Sequence, residues 1–386
     1  PTETTGMPGG IPYIIANEAA ERFSFYGMKA ILSIFMVQYL WLMGDAPTEQ
    51  MSEVLASENY HKFNKWVYAT PFFGALLADF FFGKYRVIIW LSIVYCVGHA
   101  CLALMGVSGS AGWWLFAGLA LICVGSGGIK PCVSAHVGDQ FGKSNQHLLT
   151  KVFNWFYFSI NLGAFLSMLA TPWILEWHGP HLAFGIPGVL MAIATLSFWL
   201  GRKKFIHIQP DSKKFKRELC SKEGVGVILR LLPLYFFVAF FWALFDQTGS
   251  SWIFQSQDMD RHFVIDWLPS QIQSINSVLI LTLVPLFTFF VYPTLGRFIK
   301  LTPLRKIGVG LFITVFAFSI IALIQVSISK GNTPNIGWQF LAYLFLTAAE
   351  VMVSIVCLEY SYTQAPRNMK SLIMAIFLLS VSFGNQ

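Results

Sequence analysis

Glu18-Ala19-Ala20-Glu21-Arg22-Phe23-Ser24-Phe25-Tyr26-Gly27-Met28-Lys29 lies inside an apolar run that starts near Ile11 and continues to Met43. A run of that length reads as a membrane-crossing helix, yet it holds four charged side chains. Each costs roughly 2.5–3.5 kcal/mol in a spanning helix on insertion scales, ~10 kcal/mol together if all faced lipid. Spacings of 3, 4 and 7 residues put Glu18, Glu21, Arg22 and Lys29 on one stripe, with Tyr26 on the same face. The stripe must face an internal cavity. The plain alternative, Glu18 and Arg22 satisfying each other as an i,i+4 pair, leaves Glu21 and Lys29 without partners.

Composition supports a membrane reading throughout. Of 386 residues, 55% are hydrophobic and only 12% charged, against about 25% charged in a soluble domain. A soluble globular enzyme, a disordered chain and a secreted disulfide scaffold are excluded. The 37 Phe, 13 Trp and 13 Tyr suit lipid-facing surfaces and aromatic belts. The net charge of +7 does not point to nucleic acid, because the bases sit in short loops between apolar runs. The first run is too long for a signal peptide, so no cleavable leader is expected. No pair of the six cysteines has metal-ligand spacing, and they read as buried structural thiols.

About 20 apolar residues cross a hydrocarbon core of ~30 Å. Such runs fall at Ile11–Met43, Phe63–Phe82, Val87–Val107, Trp113–Cys132, Phe153–Leu175 and Leu182–Leu200. After the polar stretch Gly201–Gly226 come Leu231–Phe254, Ile275–Phe298, Ile307–Val326, Trp338–Tyr362 and Ser371–Phe383. The expected organisation is a six-helix bundle over residues 1–200, a basic linker over 201–226 and a second bundle over 227–386. Eleven helices are visible, and a twelfth is expected to be missing from this chain. Basic residues follow the even-numbered runs: Lys84 and Arg86, Lys143 and Lys151, the Arg202–Arg217 cluster, Arg297 to Lys306, and Arg367 with Lys370. The opposite loops carry Asp45, Glu49, Glu53, Glu58, Asp258 and Asp260. The positive-inside rule then makes the N-terminus cytoplasmic.

Other runs contribute polar candidates. Lys130 lies in Gly125-Ser126-Gly127-Gly128-Ile129-Lys130-Pro131, where the glycines permit close helix approach. Asp246 and Trp242 are in the seventh run, Glu350 and Ser354 in the tenth, Tyr157 and Asn161 in the fifth. Asn276 opens the eighth, and Tyr68 and His61 belong to the second. The first half thus offers the bases Arg22, Lys29 and Lys130, and the second the acids Asp246 and Glu350. Bases on one wall and acids on the other complement a zwitterion whose ends lie several ångströms apart, and the walls attract each other when it is absent. Carboxylates in such a site can carry protons. No nucleophile–base pair or metal cluster is visible, so an enzyme is not expected; His99 and His136 stand alone and read as core or interface histidines.

These residues resemble known motifs. Glu18 to Gly27 matches the ExxERFxxYG pattern of the proton-dependent oligopeptide transporters, a family within the major facilitator superfamily. Gly74-x4-Asp79-x3-Gly83-Lys84-Tyr85-Arg86 resembles the loop signature of that superfamily, weakly echoed by Gly296-Arg297 with Arg305-Lys306. Phe156-Tyr157-Phe158-Ser159-Ile160-Asn161-Leu162-Gly163 matches FYxxINxG, and the resemblance extends from Ile11 to Asn385.

The resemblance implies an all-α integral membrane protein with the major facilitator fold. It implies symport of protons with di- and tripeptides by alternating access, with no cofactor beyond the coupling proton. The expected setting is a plasma (inner) membrane, with a functional monomer as the working unit. Glu18, Glu21 and Arg22 would couple protons, with Asp246. Arg22, Lys29 and Lys130 would meet the peptide carboxylate, and Glu350 the amine, helped by Asn161 and Asn276. Tyr26, Tyr68, Tyr157, Trp242 and Ser354 would line the pocket. Lys29 with Asp246 would gate the extracellular side, and Lys130 with Glu350 the cytoplasmic side. Bacterial members often have arginine at the place of Lys29, where lysine brings a point charge instead of a fork. Many also carry two extra helices after the sixth, for which the linker here has no apolar run. His61 stands two helical turns before Tyr68, where animal members have a histidine linked to proton uptake; an interfacial histidine beside Lys62 is the alternative. Other open readings are a transporter of nitrate or a peptide-like drug, and a non-transporting receptor on the same fold.

Overall fold

The computed structural model describes residues 5–44, 49–210, 213, 216–217, 220–365 and 370–386. Each apolar run is helical over most of its length, the seventh being broken at Asp246–Ser250. The first half comprises α1 (Ile11–Gln38), α2 (Glu53–Leu77), α3 (Lys84–Ala103), α4 (Ala111–Asp139), α5 (Leu149–His178) and α6 (Pro180–Leu200). The second comprises α7 (Lys222–Phe245), α8 (Ser274–Leu286), α9 (Pro303–Ser329), α10 (Gly337–Glu350) and α11 (Lys370–Gly384). Among the described residues, eight spans are long and apolar enough to cross a membrane. Charge dilutes the hydropathy of α1 and α2, which carry Glu18, Glu21, Arg22 and Lys29, and Glu53, Glu58, Lys62 and Lys65. The fold is that of an all-α membrane protein.

Helix ends differ from the apolar runs because hydropathy marks the bilayer crossing, whereas capping sets the helix. Ser52 accepts a hydrogen bond from the Leu55 N–H, so α2 starts ten residues before Phe63. His61 is therefore inside α2 and not at its outer tip. α1 stops at Gln38, a 3-10 turn spans Leu40–Leu42, and the chain reverses at Gly44 with φ of +94°. α4 runs through Pro131 to Asp139. Among the described linker residues no helix is long enough to span.

Among the described residues three π turns follow helices, a feature that commonly marks functional positions. They lie at Ala78–Phe82 after α2, Phe287–Val291 after α8 and Val351–Ile355 after α10. The last follows Glu350 directly and contains Ser354. A separate small core of Leu283, Phe287, Val351 and Met352 packs the second and third π turns together.

One hydrophobic core centres on the first half, with Phe25, Phe35, Phe63, Tyr95, Phe184 and Phe198; another, with Tyr235, Phe241, Trp252, Tyr343 and Phe377, lies in the second. α4 presses close to α2 because Gly74 faces the backbone of Gly127 and Gly128, where any Cβ would collide. The halves meet along two seams, α11 against α2 and α8 against α5. At the basic end, Phe205 inserts among Tyr13, Tyr85, His136 and Phe198. Gln140 clamps Ile206 there, accepting from its N–H at 2.9 Å and donating to its carbonyl at 3.2 Å.

Candidate functional site

The charged stripe of α1 points into the protein. Glu18 and Glu21 are buried, and Arg22 lies between them: its Nε is 2.7 Å from Glu18 Oε1 and 3.3 Å from Glu21 Oε2. The self-satisfied pair is thus only part of the arrangement. α4 adds Lys130, whose Nζ is 3.6 Å from Glu21 Oε1 and 3.8 Å from the centroid of the Phe25 ring. Lys130 is repelled by Arg22 and Lys29 and held by Glu21 and Glu18. This cluster lies wholly within the first half.

Two turns further along α1, Lys29 crosses to the other half. Its Nζ is 3.1 Å from Asp246 Oδ1, in the 3-10 turn Asp246–Gly249 that follows α7. Tyr60 and Tyr68 present their rings to the ammonium at 5.4 and 5.9 Å. Ser33, one turn beyond Lys29, donates to the Gly249 carbonyl at 2.6 Å. The turn is therefore pinned twice by α1, at the end of the molecule away from the basic loops.

Sequence reasoning missed a third limb of this contact. Asn385, at the end of α11, donates to Asp246 Oδ2 at 2.6 Å, and its Oδ1 is 2.7 Å from His61 Nδ1. His61 Nε2 is 3.0 Å from Ser250 Oγ. The signal was available: Asn385 is an amide at the end of an otherwise apolar run, where a polar group needs a partner. Ser250 and Ser33 gave none, since single hydroxyls in apolar helices usually bond to their own backbone.

Glu350 sits across the interior on α10. Asn276 donates to its Oε2 at 2.8 Å and to Thr347 Oγ1 at 3.0 Å. Among the described residues Lys130 and Glu350 do not form an ion pair: Lys130 faces Glu21, and Glu350 faces Asn276. Tyr26 packs against Phe25 edge-on at 5.4 Å and against Ala30, Ala164 and Met168. The Tyr68 ring lies between two bases, 5.9 Å from Lys29 Nζ and 5.7 Å from Lys130 Nζ. Trp242 stacks edge-on against Phe241 and Phe245, both at 5.3 Å between centroids. Asn161 on α5 and Ser354 are half-buried, and the Tyr157 side chain lies outside the described residues. Among the described residues no three His, Cys, Asp or Glu side chains group as metal ligands.

Bundled helices, a buried base-rich face on one half and acids on the other define the class as a secondary-transporter fold. The comparisons narrow it. The profile of the POT family (PTR2) matches residues 85–223 and 220–386, and this chain belongs to that family. It is 35% identical over 373 residues to solute carrier family 15 member 2 of Danio rerio, covering 84% of this chain and 51% of that protein. Peptide transporter 3 of Caenorhabditis elegans is 34% identical over 372 residues, again 84% of this chain and 51% of the relative. The chain thus spans about half the length of the curated relatives it matches. Among solved structures, the POT family transporter PepTSo superposes with a TM-score of 0.88 at 39% identity, over 98% of this chain and 88% of that one. An auto-inhibited POT family peptide transporter gives 0.88 at 33% identity, over 98% and 87%. The protein is accordingly a multi-pass membrane protein with the major facilitator fold.

Proposed function

We propose that this protein is a proton-coupled symporter of di- and tripeptides, working as a monomer in a plasma (inner) membrane with a cytoplasmic N-terminus. One observation carries the reading: Arg22 and Lys130 of the first half gather at Glu21, Lys29 of the first half reaches Asp246 of the second, and Asn276 holds Glu350 in the second. Short peptides vary in every side chain but share one amine and one carboxylate. A site that holds only the ends is selective for length and tolerant of sequence. The names of its relatives support the reading, since several are called peptide transporters.

In this mechanism the carboxylate enters the base-rich face and draws Lys130 or Arg22 from the α1 acids. Glu350 receives the amine with a charge-assisted hydrogen bond, while Asn276 steadies its other oxygen; Asn161, Tyr157, Tyr68, Trp242 and Ser354 complete the lining. A proton on Glu18 or Glu21 frees a base for the substrate, which couples the two movements. Lys29 and Asp246 hold the outer side shut, and Lys130 with Glu350 closes the inner side in the alternate state. Protons are the coupling ion, and no other cofactor is needed. The purified protein in vesicles with an alkaline lumen should accumulate a labelled dipeptide, and a protonophore should abolish the accumulation. Uptake that is indifferent to the gradient would overturn proton coupling; no uptake of any dipeptide would overturn the substrate class.

A further inference from the structure

Asn385 stands where α2, α11 and the turn after α7 meet, and its neighbours fix the direction of its amide. Nδ2 donates to Asp246 Oδ2 at 2.6 Å and to the Val381 carbonyl at 3.0 Å. Reversing the amide would set its oxygen against two acceptors. Oδ1 therefore faces His61 Nδ1, 2.7 Å away. An amide oxygen can only accept, so His61 Nδ1 carries a hydrogen in either charge state. The nitrogen left to gain or lose a proton is Nε2, 3.0 Å from Ser250 Oγ. When Nε2 is bare, the Ser250 hydroxyl donates to it. When Nε2 is protonated it donates to Ser250, whose own hydrogen must turn elsewhere; Gln247 Oε1, at 3.4 Å, is in place to accept it.

We propose that Asn385 is a positioning residue that fixes the tautomer of His61 and links its charge to that of Asp246 without relaying a proton. The effect passes through orientation and polarisation: a charged imidazole pulls on Oδ1 and strengthens the donation from Nδ2 to the carboxylate. That steadies Asp246 opposite Lys29, so loading His61 favours the closed contact. Among the described residues, Asp246 in the turn after α7 is joined to the imidazole through Asn385 and pairs directly with Lys29 of α1, and the Tyr60 ring meets His61 edge-on at 5.5 Å. Glu58 and Lys62 pair with each other at 2.6 Å on the exposed face of α2, and Lys65 follows one turn later.

The consequence for transport rests on the proton-coupled reading above, whereas the tautomer does not, and the test separates them. Nitrogen-15 histidine spectra of the protein in lipid nanodiscs, with His61 assigned by its loss in His61→Gln, should show Nδ1 protonated throughout a pH titration and Nε2 alone titrating. Asn385→Leu should mix the tautomers and move the pH midpoint of gradient-driven dipeptide uptake by roughly one unit, tenfold in proton concentration. Counterflow exchange in the same vesicles reports whether the variant is folded. Where it is not, Ser250→Ala probes the other ring nitrogen and should shift the midpoint while Nδ1 stays protonated. A native His61 that loses its proton from Nδ1 overturns the proposal, as does an Asn385→Leu or Ser250→Ala protein whose spectra and profile overlay the native ones. A native protein that takes up no peptide overturns the transport reading, and the spectra still decide the role of Asn385.

Discussion

Lys29 and Lys130 are withdrawn from solvent to nearly the same degree, 7% and 9% exposed, but are held in different ways. Lys29 reaches across the molecule to an acid 217 positions away, with Ser33 on α1 and Asn385 on α11 bracing the same turn. Lys130 stays within its own half, leaning on Phe25 and sharing Glu21 with Arg22. A bond between halves opposes their separation and is either made or broken. A shared acid within one half can pass from one base to another with no helix moving. Desolvation makes buried ion pairs poor stabilisers, which suits the proposed gate and the proposed exchange of partners in the cluster.

The sharpest way to break the contrast is Asp246→Asn. It leaves the Lys29 charge buried without its counter-charge, and removing one partner of such a pair costs roughly 3–5 kcal/mol. The closed state should lose most of its advantage, and cysteines placed on the outer side of α1 and α7 should label at least tenfold faster. Unchanged labelling removes the gate from the mechanism. Glu350→Gln is the next largest. A lost charge-assisted bond is worth roughly 1.5–3 kcal/mol, so affinity for free-amine dipeptides should fall about tenfold to a hundredfold, with N-acetylated peptides little affected. Equal losses for both in a binding assay would assign Glu350 a structural role.

Glu21→Gln tests the other side of the comparison. It removes the acid shared by Arg22 and Lys130, so dipeptide exchange should persist while accumulation driven by the pH gradient falls to background. Labelling at the outer gate should stay native, because the cluster does not cross between halves. The smallest effect is expected well away from both lysines, in the hairpin of His262–Phe263 and Ile265–Asp266. There His262 Nδ1 lies 2.7 Å from Asp266, and the hydrogen bond and charge of Asp266 raise the histidine pKa. Stabilisation from a raised histidine is complete below its ordinary value of ~6.5 and lost as pH rises through the folded one. Asp266→Asn should return the titration midpoint of His262, read by NMR, toward the ordinary value and leave transport unchanged. A midpoint that does not fall would show that the pair is unformed in solution.

Much of this arrangement was legible in the chain. The eight spans among the described residues were visible because lipid requires about twenty apolar residues per crossing, although run lengths missed the capped starts and the turn at Gly44. The charged stripe of α1 was visible because helical period fixes which residues share a face. What α-helical period cannot give is distance between helices, and the polar roles that escaped notice, those of Asn385, Ser250 and Ser33, are all contacts between elements far apart in sequence.

The sequence by itself therefore determined that this is a helical membrane protein of the POT family, with bases in one half and acids in the other. Patterning and motif are local, and the bilayer penalty makes each buried charge conspicuous. The Lys29–Asp246 pair that the resemblance implies is formed at 3.1 Å, and only the tertiary structure decided the partner of Lys130. The resemblance set Lys130 against Glu350; in the fold Glu21 takes it, Asn276 occupies Glu350, and Asn385 ties Asp246 to His61. Ion pairs and hydrogen bonds form over about three ångströms, a scale set by how helices pack and not by the order of residues along them.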